Sequence, residues 1–389
     1  MYHEPPHRSH ASTAVPAERR RVAIVYPFFA HYRQPLLREL LLNGQHDYVL
    51  AGSKYDPVGG IPTMQLADEP RFIATPLAQF RGRLLWQGGL IKLALRSDID
   101  CLIYLGNAEF LSTWASALIA RLRGRRVLFW THGWLRRERG LKAGVRNAFY
   151  GIAHGLLLYG EHARCIGIER GFDPDELHVV YNSLDVQQQR QLRARITEDE
   201  VRATRHELFG AAQTPIVIAV GRLTWSKRFD LLIDAAATLT RSGHPVNVLI
   251  VGTGPAEQSL RAQAAGAGVK VVFFGPCYDE PTLARLFLSA NVTVSPGNVG
   301  LTCMHSLGYG VPVITHDNAA EQGPEWEAIT PGVTGALFSQ NGVAALAEAI
   351  RQWTQDASIA AATRRECIRI IDERYHPAVQ RQLIDAAAH

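Results

Sequence analysis

SPGNVGLTCMHSLGYGVPVITHDNAAEQGPEWEAI, residues 295–329, is the stretch whose reading decides the fold. It follows a strand-like run, 292–294. Gly297 and Gly300 free a turn, and 300–307 reads as a short helix that Gly310 and Pro312 end. Residues 311–315 form the next strand. A strand, a glycine-rich turn and a helix start together make an anion site, because the first helical N–H groups are unpaired. An ordinary βα turn would look the same, so the decision rests on the rest of the chain.

Working outward, the second half alternates strands (215–220, 246–251, 269–274) with helices (229–239, 256–265, 280–288). Amphipathic helices follow over 343–354 and 359–373, and a terminal helix over 378–388. The first half alternates in the same way. Its strands are expected at 22–29, 47–51, 72–76, 101–105, 126–131, 155–159 and 178–181, and its helices at 32–42, 86–95, 110–122, 141–153 and 161–169. Continuous apolar strands are those of a parallel sheet buried on both faces. The fold class is α/β: two Rossmann-like doubly wound domains facing a crevice. The boundaries read as a disordered tail over 1–20, a first domain over 21–185 joined by the terminal helix 376–389, a linker with a lead-in helix over 186–212, and a second domain over 213–375.

The 389 residues suit two domains, and 47% hydrophobic content supports two cores. Five cysteines without a C-x-x-C pair argue against a zinc site or a disulfide framework and fit a reducing compartment. No apolar run reaches the roughly 18–20 residues that span a bilayer, and the N-terminus lacks a signal-peptide core.

The unusual residues gather at strand ends. Arg222 and Lys227, in GRLTWSK, can clamp a diphosphate: one gives a planar fork, the other a point charge. Gly252 and Gly254, in VGTGP, permit a close backbone approach to a ligand but lack the third glycine of the dinucleotide fingerprint. His132 ends a strand in WTHGW and would face the crevice. His31, Tyr32 and Arg33 follow the first strand. Asn182 and Asp185 read as capping or hinge residues. Asp317, Glu321, Glu325 and Glu327 crowd one region and can accept hydrogen bonds from sugar hydroxyls, or form a solvated acidic loop. Residues 119–146 hold nine Lys/Arg against the single acid Glu138, a local net of +8 where the whole chain has +5. With Trp130, Trp134, Leu135, Leu141 and Phe149 interleaved, this suits anionic lipid headgroups better than nucleic acid, for which no motif is present.

GRLTWSKRFDLLIDA, LIVGTGPAEQSL, VVFFGPCYDEPTLARLFLSANVTVSPG, GLTCMHSLGYGVPVIT and EAITPGVTGALF, in that order, resemble the family-4 retaining glycosyltransferases of the two-Rossmann (GT-B) fold. The resemblance is specific in the second half and looser in the first. It implies a metal-independent transferase of hexosyl type, with a nucleotide-diphosphate sugar as co-substrate and no cofactor. The first domain would bind a glycan or lipid-linked acceptor, in cell-surface polysaccharide synthesis at the inner face of a membrane. It implies His132, Arg222 and Lys227 as catalytic. Gly252, Gly254, Gly275, Asn298, Gly300, Leu301, Thr302, His305, Glu325 and Glu327 would be donor-binding, and His31, Tyr32 and Arg33 acceptor-side. Gly297 and His305 stand where relatives carry a glutamate pair, which leaves the sugar and ribose contacts open. Glu321 and Glu325 are the expected compensation. Two other readings stay open: a silent nucleotide-sugar-binding protein, and a sugar-nucleotide epimerase or a phosphorylase on the same scaffold.

Overall fold

The computed structural model describes residues 19–55, 62–66, 68–79, 84–210, 213–356 and 358–389. The expected tail therefore lies outside the described residues, apart from Arg19 and Arg20. Both expected Rossmann-like sheets are present, and all their strands pair in parallel.

The first sheet contains β1 (Arg21–Phe28), β2 (Asp47–Ser53), β3 (Phe72–Ala74), β4 (Cys101–Leu105), β5 (Arg126–Thr131), β6 (Gly155–Leu158) and β7 (Leu177–Val179). Their order is β3-β2-β1-β4-β5-β6-β7. The second contains β8 (Ile216–Val220), β9 (Asn247–Val251), β10 (Val271–Gly275), β11 (Val292–Ser295), β12 (Val313–His316) and β13 (Gly335–Phe338), in the order β10-β9-β8-β11-β12-β13. The strands are apolar runs because helices cover both faces: Val127, Leu128, Phe129 and Trp130 are all fully buried. In each sheet the order reverses beside the first strand. The crevice for a ligand opens there, past the C-terminal strand ends. In the first sheet that point lies between β1 and β4, in the second between β8 and β11.

Two local expectations are corrected. The helix expected over 86–95 is a strand, Leu85–Gln87, paired antiparallel with Leu77–Gln79, followed by a short helix, Leu90–Leu95. Gly89, at φ 82°, separates them. Residues 186–209 hold two helices, Val186–Arg195 and Glu198–Phe209. Asp185 caps the first through Gln188 N–H, and Thr197 with Glu200 forms a capping box on the second.

The chain crosses between domains twice. It leaves the first after β7, through Tyr181. It returns after helix Ala361–Arg374, through Tyr375, into helix Pro377–Ala388. That last helix packs on the first sheet: Tyr48 Oη donates to Asp385 Oδ1 at 2.7 Å, and Arg381 pairs with Glu39. The crossings lie side by side, with the Tyr181 and Tyr375 ring centroids 5.2 Å apart. Gln380 Nε2 donates to Tyr181 O at 2.7 Å, and Ser183 Oγ donates to Gln380 Oε1 at 2.7 Å. Tyr181 sits at φ 57°, a conformation a bulky residue keeps only when its surroundings hold it there.

Candidate active site

The turn after β8 carries Arg222 and Lys227. Lys227 Nζ donates to the backbone O and to Oδ1 of Asn298, both at 2.8 Å, so the turns after β8 and β11 are tied together. No carboxylate among the described residues lies within ion-pairing distance of Lys227. Burial lowers its pKa, and nearby Glu325 opposes that shift. Arg222 is exposed, and its guanidinium has no partner among the described residues. Arg228, next in the chain at φ 53°, is held by Asp230. Two cations without counterions therefore stand where the strand order reverses, which is the electrostatics of an anion site.

Glycines bring these turns together. A Cβ on Gly297 would lie 2.1 Å from Ser226 O, and one on Gly252 2.0 Å from Gly221 O. On Gly254 it would lie 2.4 Å from Leu223 O. The close approach at Gly252 and Gly254 is thus to the neighbouring turn, where the sequence suggested a ligand. Position 297 has no room for a side chain of any kind.

The two glutamates face the other domain. Glu325, 5% exposed, accepts from Asn182 Nδ2 at 3.0 Å, and burial raises its pKa. Glu327 accepts from the backbone N–H groups of Glu161 (2.7 Å) and His162 (2.9 Å). It thereby caps helix Glu161–Glu169 across the crevice, where Gly160 supplies no side-chain cap. In this arrangement Glu327 makes an interdomain contact. Glu321 bonds Gln340 and lines two cavities. One holds Ser226, Gly297 and Asn298; the other, of about 1020 Å³, holds His132.

His132 ends β5 with its ring 4.7 Å from that of Tyr159. Arg33 Nη2 donates to Tyr159 Oη, and its guanidinium lies over Tyr26 (4.7 Å) and Trp130 (5.1 Å). Burial, and then the Arg33 charge, lower the His132 pKa. His132 is nonetheless solvent-accessible, on the wall of its cleft.

The three residues expected on the acceptor side part company. Arg33 joins His132. His31 and Tyr32 instead line a cavity of about 640 Å³ between the domains, opposite Leu301, Thr302 and His305. Tyr32 also packs on the apolar cluster of Val299 and Trp326. Thr302 Oγ1 donates to Val220 O at 3.1 Å, fixing the cavity to the end of β8. Gly275, at φ 87°, turns the chain after β10, and Gly300, at φ 53°, turns it before helix Thr302–Gly308. The site residues that sequence reasoning missed are Tyr159 and Glu280. Tyr159 ends a strand just as His132 does, which was a usable signal. Glu280, which lines the same cavity as His305 from a different helix, had none.

The basic stretch 119–146 does not form one face. Arg121 and Arg126 turn to the opposite end of the sheet, donating to the carbonyls of Gly151–Ala153 and of Ala387. Arg125 pairs there with Asp100. Arg136, Lys142 and Arg146 line the His132 cavity, with Glu138 shared between the two arginines. Among the described residues no group of three or more His, Cys, Asp or Glu could hold a metal ion, and no helix is long and apolar enough to cross a membrane.

Residues 202–372 match the family model of glycosyl transferases group 1. The D-inositol 3-phosphate glycosyltransferase of Nocardia farcinica is 31% identical over 203 residues, 49% of this chain and 42% of that protein. The GDP-mannose-dependent alpha-(1-6)-phosphatidylinositol dimannoside mannosyltransferase of Mycobacterium tuberculosis is 32% identical over 27% of this chain and 28% of that protein. The chain thus spans less than half the length of these curated relatives. Among solved structures, Anabaena HepE in complex with UDP aligns with TM-score 0.71 at 17% identity, over 94% of this chain and 98% of that one. A glycosyltransferase from Rickettsia africae aligns with TM-score 0.72 at 16% identity, over 95% and 98%. The fold is GT-B.

Proposed function

We propose that this chain is a retaining, metal-independent glycosyltransferase of hexosyl type. It moves a sugar from a nucleotide-diphosphate sugar to a glycan or lipid-linked acceptor in cell-surface polysaccharide synthesis, working at the inner face of a membrane. The observation that carries the reading is the pair Arg222 and Lys227. They are two cations with no ion-pair partner among the described residues, at the switch point of the second sheet and near a cavity of nucleoside size. The group 1 match over 202–372 and the UDP-bound HepE neighbour support the same donor class.

Negative charge develops on the leaving diphosphate as the glycosidic bond breaks, and Arg222 and Lys227 stabilise it there. The acceptor hydroxyl passes its proton to the departing phosphate oxygen. His132, neutral, orients the acceptor from across the crevice, and closure of the domains keeps water out. Glu325, close enough to Lys227 to influence its charge, supplies the carboxylate that position 297 cannot carry.

The test is a panel of UDP- and GDP-sugars, scored by thermal shift and then by nucleoside-diphosphate release with membrane lipid extract. Lys227→Ala and Arg222→Ala are each expected to lower turnover by about 10²–10³-fold. Glu325→Gln is expected to weaken donor affinity or turnover, and an unchanged enzyme would remove its role. Stabilisation by donor without turnover under any acceptor would favour the silent binding protein. Conversion of the donor to its epimer without release would favour the epimerase. The anomeric configuration of the product, read by NMR, tests retention.

A further inference from the structure

The 640 Å³ cavity between the domains is lined by three acids. Glu39 is engaged through both oxygens, with Arg381 and with Asn43 Nδ2, and Asp185 uses Oδ1 to cap its own helix through Gln188 N–H. The third, Glu280, opens helix Glu280–Leu288 on the second domain's wall. Its Oε1 accepts from Tyr309 Oη at 2.7 Å and faces His305 Nδ1 at 3.4 Å. The Phe287 ring lies parallel to His305 (2°, centroids 6.1 Å apart) and near-parallel to Tyr309 (17°, 5.8 Å), fixing both partners from behind. The other oxygen, Oε2, has no hydrogen-bond partner among the described residues. Burial pushes the carboxyl pKa up, but His305 and Tyr309 outweigh that and keep it below the usual range. The cavity wall therefore carries a rigid carboxylate with one free oxygen.

Such a group repels a diphosphate. Its complement is a neutral donor, and a vicinal diol supplies two hydroxyls to one carboxylate. The cavity runs from Val220 and Thr302, beside the cation-bearing turn, to Glu280. A nucleotide with its diphosphate on Arg222 and Lys227 would put its ribose on this path. Acidic side chains read ribose hydroxyls in this way in other Rossmann domains. We propose that Glu280, set by His305 and Tyr309, binds the ribose hydroxyls of the donor nucleotide and makes the site selective for ribonucleotides. This rests on the nucleotide-sugar reading above.

Calorimetric titration of the full chain with UDP and GDP, and with their 2′-deoxy and 3′-deoxy forms, tests it. The ribonucleotide is expected to bind about 10- to 100-fold more tightly than at least one deoxy form. Glu280→Gln should abolish most of that preference while leaving deoxynucleotide affinity near its original value. Tyr309→Phe keeps the carboxylate but frees it to move, and should give an intermediate loss. That variant guards against misfolding of Glu280→Gln, as does an unchanged thermal midpoint. A wild-type chain that binds both forms equally, or a Glu280→Gln variant that still discriminates, would overturn the proposal while leaving the donor reading intact. Failure of every nucleotide to bind would overturn both.

Discussion

At the scale of single residues, the charge state of His132 is set by what surrounds it. Burial and the Arg33 guanidinium hold its pKa below 6.5, so the ring stays neutral as pH falls through that value. The sign follows: a histidine kept neutral by folding contributes stability above the unfolded pKa, and that stability is lost as pH falls further. The acid limb of turnover is expected below pH 6.5. In Arg33→Met, which removes the like charge, the limb should move to higher pH, as a pH–rate profile would show. A limb that stays in place would mean that Arg33 acts on packing alone. Gly297 illustrates a different control. The backbone of residues 226–227 fills the space of its side chain, so the sequence difference at 297 and the seating of Lys227 are one feature.

At the scale of elements, helix Glu161–Glu169 begins without a cap of its own and borrows Glu327 from the other domain. Glu327→Ala should therefore cost about 0.5–2 kcal/mol, the usual loss for a helix cap, visible in chemical denaturation. Gly160→Ala should act on the same contact, because its Cβ would lie 2.5 Å from Glu327 Oε1. No sequence signal announced this pairing, since its partners are 166 residues apart. The strands were legible because each is a buried apolar run bounded by glycine or polar residues. The helices over 186–209 resemble a linker in sequence because their exposed faces are polar. Asp185 was legible as a capping residue and does cap the first of them, while the Thr197–Glu200 box marks the start of the second. Lys227 was legible as a cation at a strand end, but its bond to Asn298 belongs to the sheet order, which places β8 beside β11.

At the scale of the whole molecule, six of the fifteen large apolar side chains exposed among the described residues fall between Leu111 and Val145. Leu111, Leu118 and Leu122 recur on one face of helix Leu111–Leu122. Leu141 and Val145 lie on the next helix, with Trp114 and Phe149 packed between the two at 4.9 Å. Lys142 and Arg139 have no ion-pair partner among the described residues. Binding to vesicles is expected to require anionic lipid and to weaken as ionic strength rises, and co-sedimentation at two salt concentrations would check it. Binding to neutral vesicles as strong as to anionic ones would remove the electrostatic part. The paired crossings at Tyr181 and Tyr375, pinned by Gln380, constrain the molecule in another way. Two bodies joined by one strand of chain can swing and twist freely, but two strands joined side by side behave like the two pins of a door hinge. The pins suppress twisting and leave chiefly a single opening angle. One pair of distance labels, one on each lip of the crevice, would then follow the whole cycle of opening and closing.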